Sequence, residues 1–465
     1  MYFGAIGGLA VLVAALASRP AYLDGLGESP PPARDDAEAI LEIKSSQAES
    51  YFDRMLKHKR GCWPRAAGYD LEKAKTDVLK SAWEQNISIL QTLAEEAVKV
   101  SCLGELLEVR SKGIRTIRGN DRVPFTVVEG STALIIAAAI GAVDYVRALL
   151  QIALKHKLSA VLQAETNSKE TALMTAAYIG EEACVRAVLD AAQKAGLAEK
   201  ALEAKDEYGN TALIMAVYGN TYKNVFLENN QRPTCYDLPA YNNTATRQEK
   251  SVRALLEIVS EQGYATALEF RHGKGTATQT ALISATTIGL STCTSYPHLC
   301  DRIGQLSATM VHDLLDCAAK LDAKKEVNST AVVDAVLDAK VLDAEKKTDG
   351  MTALIMAASN NRWACVREVV GFARKQSSDK AKAVLNAKTN SGDTALMLAA
   401  RTGKRESVEA LLDEATQCEY AEAIACAKNE EDRGMTALSY VETSTLKGDV
   451  KQQIKVMLGK AGCAN

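Results

Sequence analysis

The chain has 465 residues, with 55 basic against 58 acidic side chains and a formal net charge of −3. That balance leaves no broad positive field, so nucleic acid is not the indicated partner. A chain of this length ordinarily splits into two or more globular domains, unless it is a repeat stack, which has no single core to outgrow.

The first element is "MYFGAIGGLAVLVAALASRPAYLDG", an apolar stretch of about 15 residues that ends in Ala15-Leu16-Ala17. The small-x-small pattern predicts a signal peptide over residues 1–17, and the stretch is too short for a membrane span. The expected location is therefore the secretory pathway. The absence of Lys or Arg from the first residues keeps open the alternative of a buried N-terminal helix in a cytoplasmic chain. Residues 18–36, including "ESPPPARDD", read as a linker whose prolines and charges cannot pack. Residues 37–125 form the predicted N-terminal helical region. Its helices fill roughly Ala37 to Leu107, and Trp63 and Trp83 anchor it to the segment beyond residue 125. The basic run "RSKGIRTIRGNDR", Arg110 to Arg122, reads as a solvated approach segment.

From residue 126 to 465 the chain repeats itself. Thr-Ala-Leu begins at Thr132, Thr171, Thr211, Thr280, Thr352, Thr394 and Thr436, at successive distances of 39, 40, 69, 72, 42 and 42 residues. Nine positions after the first six threonines stand Gly141, Gly180, Asn220, Gly289, Asn361 and Gly403. Gly and Asn best tolerate the left-handed backbone that closes a helix, so one geometry is specified six times. A second helix comes after each turn, marked by Val-x-x-[LV]-[LV] as in Val146/Leu149/Leu150 and Val408/Leu411/Leu412.

"GNTALIMA", "GMTALIMAA" and "GDTALMLAA", each with the Val-x-x-Leu-Leu helix after it, resemble the ankyrin repeat. The resemblance implies an all-α helical solenoid of seven ankyrin-like repeats behind the N-terminal helical region. Two departures matter. The family's histidine is replaced by Ile135, Met174, Ile214, Ile283, Ile355, Met397 or Ser439, which leaves stacking more dependent on apolar contact. The period also exceeds the family's usual length of about 33 residues. An extra Ala/Leu element such as "KAVLNAKTNSGDTAL" accounts for the excess and reads as an added helical turn.

The third and fourth copies carry inserts of 27 and 17 residues between their helices, at about 221–247 and 290–306. Loops of that length are often functional. Cys235, Cys293 and Cys300 lie in them and offer either disulfide staples or, with His298, a metal site that lacks paired Cys-x-x-Cys spacing. Cys184 and Cys365, each just before a signature valine, read as small buried thiols. Sequons stand at Asn86, Asn242 and Asn328. The histidines have no partnered nucleophile, and no phosphate loop or other cofactor motif occurs, so neither catalysis nor a cofactor is expected.

Binding is the remaining role. By resemblance, partners bind along the concave side, at the hairpin tips and at positions four and seven or eight after each threonine. First-helix candidates are Ile136, Tyr178, Met215, Tyr218, Met356, Leu398, Arg401 and Tyr440, with Ser284 and Thr287 between them. Tip candidates are Asp206, Tyr208 and Asn390, beside Asn167, Lys169, Asp349 and Arg433. Aromatic, Met and Arg side chains are the types enriched at protein interfaces. The expectation is a monomeric, non-enzymatic scaffold for another protein. The alternative is an enzyme or metal-binding protein with its site in the paired inserts.

Overall fold

The computed structural model describes residues 69–113, 115–119, 122–219, 238–272, 277–287, 297–324, 332–343 and 350–462. The expected signal peptide, the linker, Trp63, Asp349, Asn328 and Cys235 lie outside them, as do the side chains of Cys293, His298, Cys300 and Asn242.

Each Thr-Ala-Leu opens a helix at its alanine: Ala133–Ile140, Ala172–Ile179, Ala212–Tyr218, Ala281–Thr287, Ala353–Ser359, Ala395–Arg401 and Ala437–Thr443. In all but the first, the threonine hydroxyl accepts a hydrogen bond from the amide three residues on, as from Met174 N at 3.3 Å and Met397 N at 3.4 Å. That satisfies one of the donors every helix start leaves open. The helices then close at Gly141, Gly180, Asn361 and Gly403, whose φ values are 72°, 78°, 57° and 72°. Asn220 and Gly289 lie outside the described residues.

The second helices are Val143–Lys155, Glu182–Lys194, Leu238–Gln262, Pro297–Lys324, Trp363–Gln376, Arg405–Thr416 and Gly448–Lys460. Each first helix packs on the next first helix and each second helix on the next second helix, so two parallel layers run through the stack. The added turn appears as a short connector helix at Ser159–Leu162, Ala198–Glu203, Thr266–Glu269, Val332–Leu337, Ser378–Asn386 and Ala421–Ala425. Burial matches the two signatures. Ala133 to Ala139 and Ala395 to Ala400 are enclosed on every side, whereas the second helices bury one stripe, such as Val408, Leu411 and Leu412.

Two expectations need correction. Residues 37–125 are not helical to their end: β1 (Arg115–Gly119) pairs antiparallel with β2 (Arg122–Val127). Thr116, Ile117, Val123, Phe125 and Val127 favour an extended chain, and Gly119-Asn120-Asp121 supplies turn residues. The inserts are also shorter than their length in sequence. The second helix of the third copy already begins at Leu238 and runs for 25 residues; that of the fourth begins at Pro297 and runs for 28. Proline is tolerated in a first helical turn, and nothing after Pro239 or Pro297 breaks the helix.

The N-terminal helices keep the repeat plan without its motif. Leu71–Trp83 packs on Ala133–Ile140, Ile87–Lys99 on Val143–Lys155, and Leu103–Leu107 on Ser159–Leu162. They occupy the places of a first helix, a second helix and a connector. Tyr145 locks this unit to the first repeat, its buried hydroxyl lying 2.7 Å from Ser81 Oγ.

Candidate protein-binding surface

The first helices are short, alanine-rich and covered on both flanks by their neighbours. Only their last turn and the tips between repeats reach solvent, and this divides the expected binding residues. At the fourth position after the threonine, Ile136, Met356, Leu398 and Tyr440 are buried, at 0, 5, 4 and 5% exposure. They hold repeats together and offer nothing to a partner, contrary to the expectation for them. Ser284 is likewise enclosed, while Met215 is half-buried.

Seven positions after the threonine the picture reverses. Tyr178, Tyr218 and Thr287 are half-buried and Arg401 is exposed. Tyr218 interacts through its hydroxyl with Ser284 and Thr287 of the next repeat. Burial, then the nearby Glu170 carboxylate, pushes the Tyr178 phenol up to about 12. Its backbone carbonyl accepts a 2.8 Å bond from Gln248 Nε2 of the long third-copy helix.

Arg401 reaches Asp393 Oδ2 at 3.2 Å and lies 5.2 Å from the Tyr440 ring centroid. Tyr440 Oη donates to Asp432 Oδ2 at 2.7 Å, and the buried Asn429 donates to Asp393 Oδ1 at 2.8 Å. Burial first, then the Asp432 and Asp393 carboxylates, raise the Tyr440 phenol well above its usual range. Arg401 thus roofs a polar bridge between the last two repeats while its outer side stays open.

At the tips, Asp206 is also corrected. It is buried, and its carboxylate accepts from Tyr208 N at 2.8 Å, Asn210 N at 2.7 Å and Asn210 Nδ2 at 2.7 Å. An aspartate folded onto its own loop shapes the tip, and its carboxylate is taken up by that loop. The loop it holds presents Tyr208, 52% exposed. Asn167, Lys169, Asn390 and Arg433 are exposed as well.

The second helices carry a feature not anticipated from the sequence. Arg186 pairs with Glu257 at 2.6 Å, Arg253 with Asp313 at 2.8 Å, His312 with Glu368 at 3.1 Å and Arg367 with Asp413 at 3.0 Å. Each rung joins one repeat to the next. The signal was present: the residue after the signature valine is Arg147, Arg186, Arg253, His312 or Arg367. Cys184 and Cys365 are buried and stand outside any disulfide, and Cys365 Sγ lies 3.1 Å from Ser307 Oγ. Among the described residues no group of three or more His, Cys, Asp or Glu side chains could hold a metal ion, and no helix is long and apolar enough to cross a membrane.

Stacked helical hairpins joined by exposed tips define a helical-repeat solenoid of the protein-interaction class. The family model for ankyrin repeats matches residues 97–196 and 315–424. The unmatched middle contains both lengthened copies. Among solved structures, the chain is similar to the ankyrin repeat domain of Bcl-3, an IkappaB family member, at 19% identity, covering 71% of this chain and 99% of that one, with a TM-score of 0.42. The human ASB11 ankyrin repeat domain aligns at 16% identity over 70% and 98% of the two chains, with a TM-score of 0.37. A chain from the complex of the predatory endopeptidase Bd0816 of Bdellovibrio bacteriovorus with the immunity protein Bd3460 aligns at 20% identity over 61% and 98%, with a TM-score of 0.33. No curated protein matches the sequence. The motif, its recurrence and the family match identify the chain as an ankyrin repeat protein.

Proposed function

We propose that this chain is a monomeric, non-enzymatic scaffold that captures another protein along the concave side, through the first-helix ends and the hairpin tips. The observation that carries the reading is the division of exposure. Side chains at the fourth position serve the stack, the half-buried Met215 excepted, while Tyr178, Tyr218 and Arg401 keep exposed surface, and Tyr208 and Asn390 stand open beside them. Aromatic and arginine anchors that are held in place before binding lose little conformational freedom on docking. The near-neutral charge supports a protein rather than a nucleic acid as the partner.

The test is crosslinked capture from native cells with wild type beside Tyr178→Ala/Tyr208→Ala. Loss of a captured protein from the variant, with helix content retained, supports the reading. The same captured proteins from both baits overturn it. Metal analysis of the purified chain addresses the alternative site around Cys293, His298 and Cys300.

The same reading puts the chain in the secretory pathway after cleavage near Ala17. Support comes from the apolar run that ends in Ala15-Leu16-Ala17, the small-x-small pattern of a cleavage site. N-terminal sequencing of the mature chain decides it: a start close to residue 18 fits, and an intact Met1 does not.

A further inference from the structure

The long period leaves a crevice between successive connector helices, and two of these crevices compare residue by residue. Between Ser378–Asn386 and Ala421–Ala425 the space is filled from within, by Tyr420, the residue that precedes the second connector. Asn386 Nδ2 donates to its hydroxyl, and the Lys382 ammonium lies 5.7 Å from its ring centroid. This crevice is therefore shaped for a phenol ring, with an amide at its hydroxyl and a cation over its face.

Between Ser159–Leu162 and Ala198–Glu203 the backbone frame recurs without the ring, and Ser159 stands where Lys382 does. Ala-Val-Leu-Gln at 160–163 aligns without a gap with Ala-Val-Leu-Asn at 383–386, so Gln163 stands where Asn386 does. Leu197 replaces Tyr420, and each comes directly after a left-handed residue, Gly196 at φ 69° or Glu419 at φ 54°. What remains is a cavity of about 230 Å³. Leu173, Val188 and Ala192 form its buried floor and Leu197 lines it. Gln163 and Lys200 meet at its mouth, where the Lys200 ammonium donates to Gln163 Oε1. Glu165 and Glu203 also border it, which disfavours an anionic guest.

We propose that this crevice binds a small neutral phenol, seated as the Tyr420 ring is seated in the equivalent crevice. The ring rests on the apolar floor, its hydroxyl meets the Gln163 amide, and Lys200 swings from Gln163 to lie over the ring. The site is independent of the protein-binding surface.

Titration of the full chain with p-cresol, the tyrosine side chain in isolation, tests this by calorimetry. Saturable binding is expected, at least tenfold tighter than for toluene, which lacks the hydroxyl, or for 4-hydroxybenzoate, which adds a negative charge. Leu197→Tyr, which refills the crevice, should abolish it. Gln163→Leu should leave p-cresol and toluene bound alike. No saturable binding by wild type at millimolar p-cresol overturns the proposal, as does unchanged binding by folded Leu197→Tyr. Should Leu197→Tyr not fold, Gln163→Leu decides alone: a retained preference for p-cresol overturns the site, and a lost preference supports it.

Discussion

Gly392 shows how closely neighbouring tips approach. Its φ is 79°, and a Cβ built there would stand 2.3 Å from Asn429 Oδ1, a side chain buried in the polar bridge of the last two repeats. Gly263 has the same φ of 79° with nothing within 4 Å. The pair separates conformational strain from collision. Gly263→Ala should cost about 1 kcal/mol from backbone strain alone. Gly392→Ala should cost at least about 3 kcal/mol, because Asn429 must also shift away from Asp393. Urea denaturation of the two variants checks the difference. A second residue with a measurable consequence is Tyr145. Burial raises its phenol to about 12 from the usual 10, against the opposing effect of its bond to Ser81. The folded pKa is the higher one, so its stabilisation is complete below pH 10 and is lost as pH rises toward 12. The loss amounts to about 3 kcal/mol at most. Denaturation at pH 9 and pH 11.5 should show that loss in wild type and a smaller one in Tyr145→Phe.

At the scale of the element, two kinds of contact hold one repeat to the next, and they differ in strength. Val311, Leu314 and Leu315 are buried in the second-helix layer, and truncating such a leucine to alanine costs about 2–5 kcal/mol. The ion-pair rungs on the same helices are half-exposed; the Arg253 side chain is 47% accessible. Arg253→Ala should therefore cost less than about 1 kcal/mol, and the cost should shrink in 1 M salt. Leu314→Ala should cost severalfold more, with little salt dependence. Equal effects, or an Arg253 effect insensitive to salt, would show that the ladder carries more of the stack than its exposure allows.

At the scale of the molecule, a repeat stack is stabilised by each unit and its immediate neighbours, so its ends are its weakest parts. Among the described residues, the helix Gly448–Lys460 packs chiefly on Arg405–Thr416 and Ala437–Thr443, and fully buries Ile454 and Leu458. Hydrogen exchange should be fastest there and slowest in Ala353–Ser359 and Ala395–Arg401, which are covered from both sides. Uniform protection along the stack would mean that unfolding is all-or-none.

The period, the capping threonines, the left-handed turns and the buried stripe of the second helices were all legible in sequence. Each is a local rule that a run of residues states by itself, at least six times over. The sequence could not show which exposed-looking position a neighbouring repeat would cover. Met356, Leu398 and Tyr440 share the periodic place of Met215, yet they are buried where Met215 is half-buried. The same holds for Asp206, turned onto its own loop, and for the N-terminal helices, which complete the stack without the motif. The crevice beside Leu197 exists only because two connectors, distant along the chain, are brought side by side. Local geometry was determined by short-range sterics and hydrogen bonding, which the sequence carries; exposure was decided by the stacking of repeats, which only the tertiary structure reveals.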